Sequence, residues 1–224
     1  MTSKITNFFK SVESVKSVKP TSCDRKVETE KRTIPLSDKS FLIVGSLPKE
    51  VIPSMEKLME LNPGEPDTVI MAGKAVLTPR FVAHYLRPYY YTGRLHEAKP
   101  LPETLRPLLD WANSQEFNNG SNYNQVLVNF YMNGHHYIGK HSDDERQLVQ
   151  ESSIFSASFG QKRTFRIRTK SDGSIVKDIE MNNGTYVVMC GKMQKEFTHE
   201  VTKVMGKKGE DLSPRVNVTF RCFK

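Results

Sequence analysis

At 224 residues the chain can bury a full hydrophobic core, and one domain with an appendage is expected rather than two domains. A formal net charge of +8 favours a polyanionic partner, nucleic acid before a membrane surface. Three cysteines (Cys23, Cys190, Cys222) are too few and scattered for a disulfide framework, and no apolar run has the length of a membrane span or the place of a signal peptide, so an intracellular, reducing compartment is expected.

In chain order, residues 1–35 read as a disordered tail. Ser11 to Lys19 repeats one triplet three times, Ser-Val-Glu then Ser-Val-Lys twice, and the stretch from Pro20 to Arg32 is almost wholly polar. Such a segment cannot offset its ordering entropy by burial. The first nine residues differ, because Ile5, Phe8 and Phe9 are apolar groups on an otherwise polar end, which suits a docking peptide. Their spacing resembles the short motif by which replication and repair proteins bind the sliding clamp, with Thr2 standing where that motif has Gln.

Folded structure is expected from residue 36. Phe41 to Val44 is a strand-like run ended by Gly45, and Pro48 to Leu61 has the spacing of an amphipathic helix burying Val51, Met55, Leu58 and Met59. A second helix is expected from Pro102 to Ala112, burying Leu105, Leu108, Leu109 and Trp111, with an aromatic-rich segment from Phe81 to Tyr91 between the two. From Val126 onward strands alternate with the turn signals Asn133-Gly134, Asp172-Gly173 and Asn183-Gly184. The class that accommodates this pattern is mainly β with flanking helices (α+β), its core a sandwich or jelly roll.

Alternation within two of these strands bears on chemistry. Val126, Val128 and Phe130 share one face, while Leu127, Asn129 and Tyr131 share the other. Near the C-terminus, Val216, Val218, Phe220 and Cys222 oppose the row Arg215, Asn217, Thr219 and Arg221. A solvated outer face alternates in the same way. Against it, both charges of the row are Arg and neither Lys nor Glu interrupts it. The rigid donor fork of arginine grips carboxylates at two points, so the row suits a small dicarboxylate inside a barrel.

His141 and Asp143 stand two residues apart, which on an extended segment places an imidazole and a carboxylate on one face, within reach of one metal ion. His199 is the best candidate for a third ligand. Two His and one Asp leave positions open on iron(II) for a cosubstrate and O2. A zinc hydrolase can use the same ligands but has no need of an Arg row in the same cavity.

The ordered blocks Asn129-x-Tyr131, His141-x-Asp143-x-Glu145, Ser156 to Gly160 with Arg163-x-Phe165, His199, and Pro214 to Arg221 resemble the AlkB family of Fe(II) and 2-oxoglutarate-dependent dioxygenases, which dealkylate nucleobases. The resemblance covers roughly residues 70 to 224 and is strongest from Val126 onward. It implies a double-stranded β-helix (jelly-roll, cupin-like) core over about residues 124–224 beneath a nucleotide-recognition lid at about 65–95. It implies that His141, Asp143 and His199 hold the iron and that Arg215 pairs with the distal carboxylate of 2-oxoglutarate. Asn129, Tyr131 and Arg221 fall at positions that also contact the cosubstrate, with Asn217 and Thr219 on the same row.

Glu145 matches an acidic residue that faces the damaged base, where a carboxylate suits cationic bases such as 1-methyladenine and 3-methylcytosine. Tyr91, in the run with Tyr89, falls where an aromatic stacks on the flipped base; core packing is the competing reading for these tyrosines. Duplex-acting members carry an aromatic wedge just before a Gly-Lys pair. Here the stretch reads Met71, Ala72, Gly73, Lys74, with Ala at the wedge and Met71 as a partial substitute, which leaves single strands and RNA open. The activity implied is oxidative N-demethylation with release of formaldehyde and succinate, in DNA repair or, alternatively, on RNA. A non-catalytic nucleic-acid-binding jelly roll is a further alternative. A nuclear, monomeric enzyme is expected.

Overall fold

The computed structural model of the chain describes residues 31–71, 73–91, 94–118, 120 and 122–224, with the side chains of Met71 and Tyr89 outside the description. The docking peptide, the triplet repeat and Ala72 therefore lie outside the described residues. Order starts earlier than expected. The strand β1 (Arg32–Pro35) pairs antiparallel with β2 (Ser40–Ser46), inside the stretch assigned to the tail, because Ile34 packs against the core between the sheets.

Along the chain follow α1 (Met55–Met59), β3 (Pro66–Met71), β4 (Lys74–Tyr85), β5 (Tyr89–Tyr91), β6 (Arg94–His96) and α2 (Arg106–Asn113). Next come β7 (Gln125–Tyr131), β8 (Ile138–His141), β9 (Ile154–Gly160), β10 (Arg163–Thr169), β11 (Ile175–Met181) and β12 (Thr185–Gly191). The last elements are α3 (Met193–Glu196), β13 (Phe197–Val201), α4 (Gly206–Glu210) and β14 (Arg215–Arg221).

Eight strands form a major sheet in the order β1-β2-β12-β9-β14-β7-β4-β3, and four form a minor sheet, β11-β10-β13-β8. The sheets are antiparallel throughout, as the turn signals and alternation require for a jelly roll. Of the three turn dipeptides, Asp172-Gly173 closes the β10–β11 hairpin. The other two mark crossings: the chain leaves the major sheet for the minor one after β7 and returns between β11 and β12. Each crossing carries side chains from one wall of the barrel to the other.

Two apolar layers result. Val126, Val128 and Phe130 of β7, with Phe155, Phe159, Val216, Val218 and Phe220, face α2 and the single buried leucine of α1, Leu58. Leu42, Val44, Ile154, Val187 and Met189 of the major sheet meet Phe165, Ile167, Ile179, Phe197 and Val201 of the minor one. Full burial of such side chains stabilises by roughly 1.5–3 kcal/mol each.

The expected helix from Pro48 to Leu61 is broken. A 3-10 turn at Lys49–Val51 ends where Ile52 is extended (φ −80, ψ 111), and only α1 is α-helical. Pro53 is the cause, since its ring disfavours helical geometry at the preceding residue, and Ser54 then caps α1 by accepting from the Lys57 N–H. The second expected helix starts as a 3-10 turn, Glu103–Leu105, and continues as α2; Leu105, Leu108 and Leu109 are buried as expected, while Trp111 is only half-buried and Ala112 takes the core position.

Candidate active site

The minor sheet brings the candidate ligands together. His141 at the end of β8 is the direct cross-strand partner of His199 on β13, and the ring centroids lie 4.2 Å apart. Asp143 follows β8 by two residues and turns its Oδ1 toward both rings, 3.6 Å from His141 Nε2 and 3.9 Å from His199 Nε2. One ligand atom from each residue lies within 4.8 Å of the others. His141 Nδ1–H donates to the Gly139 carbonyl at 2.9 Å, which leaves the Nε2 lone pair facing the cluster.

The electrostatics favour metal binding. Burial holds both imidazoles below their ordinary value, and at His199, where the neighbouring His141 adds to burial, the pKa falls to about 3. Burial alone would raise the Asp143 carboxyl, but the Arg221 guanidinium and the two imidazoles outweigh it and hold the group at about 2. Two neutral nitrogens and one anionic oxygen are thus available at neutral pH, the donor set of a facial iron(II) triad.

Arg215 is the second pole. It opens β14, is 1% exposed, and lies opposite Tyr131 of β7 with its guanidinium 4.9 Å from the ring centroid. Its Nε donates to Ser158 Oγ at 2.8 Å and its Nη2 to Asn217 Oδ1 at 3.3 Å. Nη1 is buried without a hydrogen-bond partner, and no carboxylate among the described residues pairs with this cation. Burial draws its pKa down to about 10, so it stays charged at neutral pH. An uncompensated buried charge is destabilising by several kcal/mol, so the site calls for an anion. A carboxylate oxygen is the acceptor a planar guanidinium fits best.

Between the poles lies a narrow cavity lined by Asn129, Tyr131, Asn217, Thr219 and Arg221 from the major sheet and by His141, Phe165 and His199 from the minor one. The row on β14 therefore faces inward and not to solvent. Arg221 is engaged with the triad: Nε and Nη2 donate to Asp143 Oδ2 at 3.1 and 2.9 Å, and Nη1 donates to Gln125 at 3.3 Å. Asn217 is fixed by Ser156 and the Ala157 carbonyl, at 2.9 and 3.0 Å.

Glu145 has one oxygen 4.0 Å from Arg221 Nη2 and the other buried without a hydrogen-bond partner, and it lines neither the cavity nor the cleft. Burial raises its carboxyl above the ordinary value, with Arg221 opposing and Asp143 reinforcing the shift. On the other side of His141 a cleft of about 370 Å³ opens, lined by Val69, Val76, Thr78, Arg80, Tyr91 and Tyr137 among others. That volume is within the roughly 300–1,000 Å³ of small-molecule sites. Tyr91 thus belongs to the cleft. Gly73 (φ +77) and Lys74 occupy the exposed tip of the β3–β4 hairpin, outside the cleft lining.

Three polar residues of the site have no role assigned from the sequence. Arg80 of β4 donates from Nε to Asn129 Oδ1 at 2.7 Å and lines the cleft beside His141. Gln194 of α3 accepts the Asp143 N–H at 2.9 Å. Arg163 places its guanidinium 5.7 Å from the Tyr131 ring centroid and donates to the carbonyls of Asn133, His136 and Thr202. Only Arg163 stood within a recognised block.

The family model of the 2OG-Fe(II) oxygenase superfamily matches residues 71–221. Human alpha-ketoglutarate-dependent dioxygenase alkB homolog 3 is 33% identical over 176 residues, covering 75% of this chain and 59% of that protein. Mouse DNA oxidative demethylase ALKBH2 is 30% identical over 182 residues, covering 77% of this chain and 73% of that protein. The chain spans about three fifths of the length of the human alkB homolog 3 it matches. Among solved structures, OsALKBH1 superposes with a TM-score of 0.54 at 13% identity, over 81% of this chain and 96% of that one, which is a likeness of fold.

Proposed function

This chain belongs to the 2OG-Fe(II) oxygenase superfamily, and we propose that it dealkylates the bases of nucleic acid oxidatively, DNA before RNA, with formaldehyde and succinate as products. One observation carries the reading: a fully buried Arg215 guanidinium, with no carboxylate partner among the described residues, lies against Tyr131 and Asn217, which line the cavity that holds His141, Asp143 and His199. A hydrolytic metal site has no use for that cation.

Iron(II) with 2-oxoglutarate would supply, when bound, the oxidation of an N-methyl group by O2 coupled to decarboxylation of the cosubstrate. His141 Nε2, His199 Nε2 and Asp143 Oδ1 would hold the metal. Arg215 receives the distal carboxylate, with Thr219, Asn217, Tyr131 and Asn129 shaping the wall it lies along. Arg221 fixes Asp143 through Oδ2 and leaves Oδ1 turned to the histidines. The base enters from the cleft beside His141, where Tyr91 offers a stacking face. Glu145 adds negative charge close to Asp143, which favours a cationic N-methylated base over its neutral counterpart.

The test is a panel of single-stranded and duplex DNA and RNA oligonucleotides, each methylated at one base, scored by mass after incubation with iron and 2-oxoglutarate. Loss of methyl from 1-methyladenine or 3-methylcytosine in DNA supports the reading. Unchanged mass across the panel with active cosubstrate turnover removes nucleic acid as the substrate. Single strands are favoured over duplex, because Ala72 stands where a wedge would fill the gap of a flipped base. RNA is the second reading on the same ground.

A monomer working in the nucleus, delivered to replicating DNA by Ile5, Phe8 and Phe9 on a sliding clamp, fits a basic DNA-repair enzyme.

A further inference from the structure

A second group of two histidines and one aspartate lies outside the candidate active site. Asp67 of β3, His84 of β4 and His96 of β6 bring one potential ligand atom each within 4.8 Å of the others. Asp67 falls where the β3–β4 register shifts, between the pairs Pro66↔Phe81 and Thr68↔Leu77, and such an irregularity re-aims a side chain. Its two oxygens are divided. Oδ1 accepts the Thr68 N–H at 2.8 Å and lies 3.9 Å from Arg94, whereas Oδ2 faces His96 Nδ1 at 2.9 Å and His84 Nε2 at 3.4 Å.

We propose that Asp67, His84 and His96 form a second metal site, which takes a divalent ion of the zinc class and fastens the β5–β6 hairpin to the edge of the major sheet.

The geometry suits that ion. Tetrahedral bonds of about 2.0–2.1 Å to nitrogen and oxygen imply ligand atoms roughly 3.3 Å apart, and the two observed separations, 2.9 and 3.4 Å, bracket that value. Three protein ligands with a fourth position for water is a common zinc arrangement. The side chains of His96 and His84 are 4% and 10% exposed and that of Asp67 is 20% exposed, so the cluster is sheltered yet open on one side.

Position gives the site a role. The three ligands come from three strands, and β5 and β6 form a separate two-stranded sheet whose pairing joins Tyr89 to His96 and Tyr91 to Arg94. The Tyr91 ring, which lines the substrate cleft, lies 6.3 Å from the His96 ring. A metal held here would fix the hairpin that presents Tyr91 to the cleft. Without metal, Asp67 simply accepts hydrogen bonds from both imidazoles, and the cluster is a polar knot.

The two alternatives separate by stoichiometry on the full chain. Co2+ and Zn2+ titrations of the wild type should show two equivalents, one of them with the intense visible bands of four-coordinate cobalt. His96→Gln should bind one equivalent and lose those bands, and His141→Ala with His199→Ala should keep one equivalent and retain them. Zinc should raise the melting temperature of this double variant but not when His96→Gln is added. One equivalent in both the wild type and His96→Gln, or no zinc-dependent melting shift in a cooperatively folded His141→Ala, His199→Ala protein, overturns the proposal. None of these readouts needs oxygenase activity.

Discussion

Arg221 grips Asp143 by a single carboxylate oxygen: its Nε and Nη2 lie 3.1 and 2.9 Å from Oδ2, while Oδ1 is left 3.6 Å from His141 and 3.9 Å from His199. The carboxylate is thereby oriented before any metal arrives. Arg221→Met removes that orientation and leaves two buried acids, Asp143 and Glu145, without their cation. Iron affinity should fall about 10–100-fold, as for other residues that orient a metal ligand, in an anaerobic titration of the apoprotein. An unchanged affinity would mean that the histidines alone set the site.

Arg215→Gln should act on the cosubstrate rather than on the metal. Loss of a charge-assisted, two-point grip costs on the order of 2–4 kcal/mol, so the KM for 2-oxoglutarate should rise by about 30-fold or more. The variant should also lose the melting shift that 2-oxoglutarate gives the metal-loaded wild type. Retained stabilisation by 2-oxoglutarate would place its carboxylate elsewhere.

Glu145→Gln tests recognition of charge. The buried acid stands 4.0 Å from Arg221 with one oxygen unsatisfied, so its change to a neutral isostere alters the field at the site more than its shape. The ratio of kcat/KM for a cationic methylated base over a neutral one should fall roughly tenfold, equivalent to ~1.4 kcal/mol. Equal losses on both classes would make Glu145 a structural acid.

The outer layer of the core rests on Phe155. Its ring is fully buried, and the centroids of Trp111, Phe117, Tyr186 and Phe220 lie 5.5 to 6.0 Å from its own. Phe155→Ala should lower stability by about 3–5 kcal/mol in chemical denaturation, with the cavity open to the sheet.

The tail is tested apart from the enzyme. Phe8→Ala with Phe9→Ala should abolish binding to a sliding clamp in calorimetry and leave turnover on free oligonucleotides unchanged. Binding retained by the double variant would exclude this peptide as the docking element.

What the sequence made legible follows strand periodicity. β14 alternates strictly, so Arg215, Asn217, Thr219 and Arg221 could be placed on one face before any contact was known, and the spacing of His141 and Asp143 is as local. Arg80 could not be found this way. Its role depends on β4 lying beside β7, a pairing set by topology. The Asp67, His84 and His96 cluster is hidden for the same reason, since it is assembled from three strands and a register shift. The helix break at Ile52 was written in Pro53, but amphipathic spacing across it masked the stop. Ile34 shows the reverse case: polar composition hid a short strand that one apolar contact orders.

The central claim is that His141, Asp143, His199 and Arg215 form one oxidising site for methylated bases. Its most direct measurement is product balance on a single-stranded DNA oligonucleotide carrying one 3-methylcytosine, with iron, 2-oxoglutarate and O2. The account predicts one formaldehyde and one succinate for each methyl group lost in the wild type, and no demethylation by folded His141→Ala or Asp143→Ala. Demethylation that persists in either variant, or that proceeds without consuming 2-oxoglutarate, would contradict it.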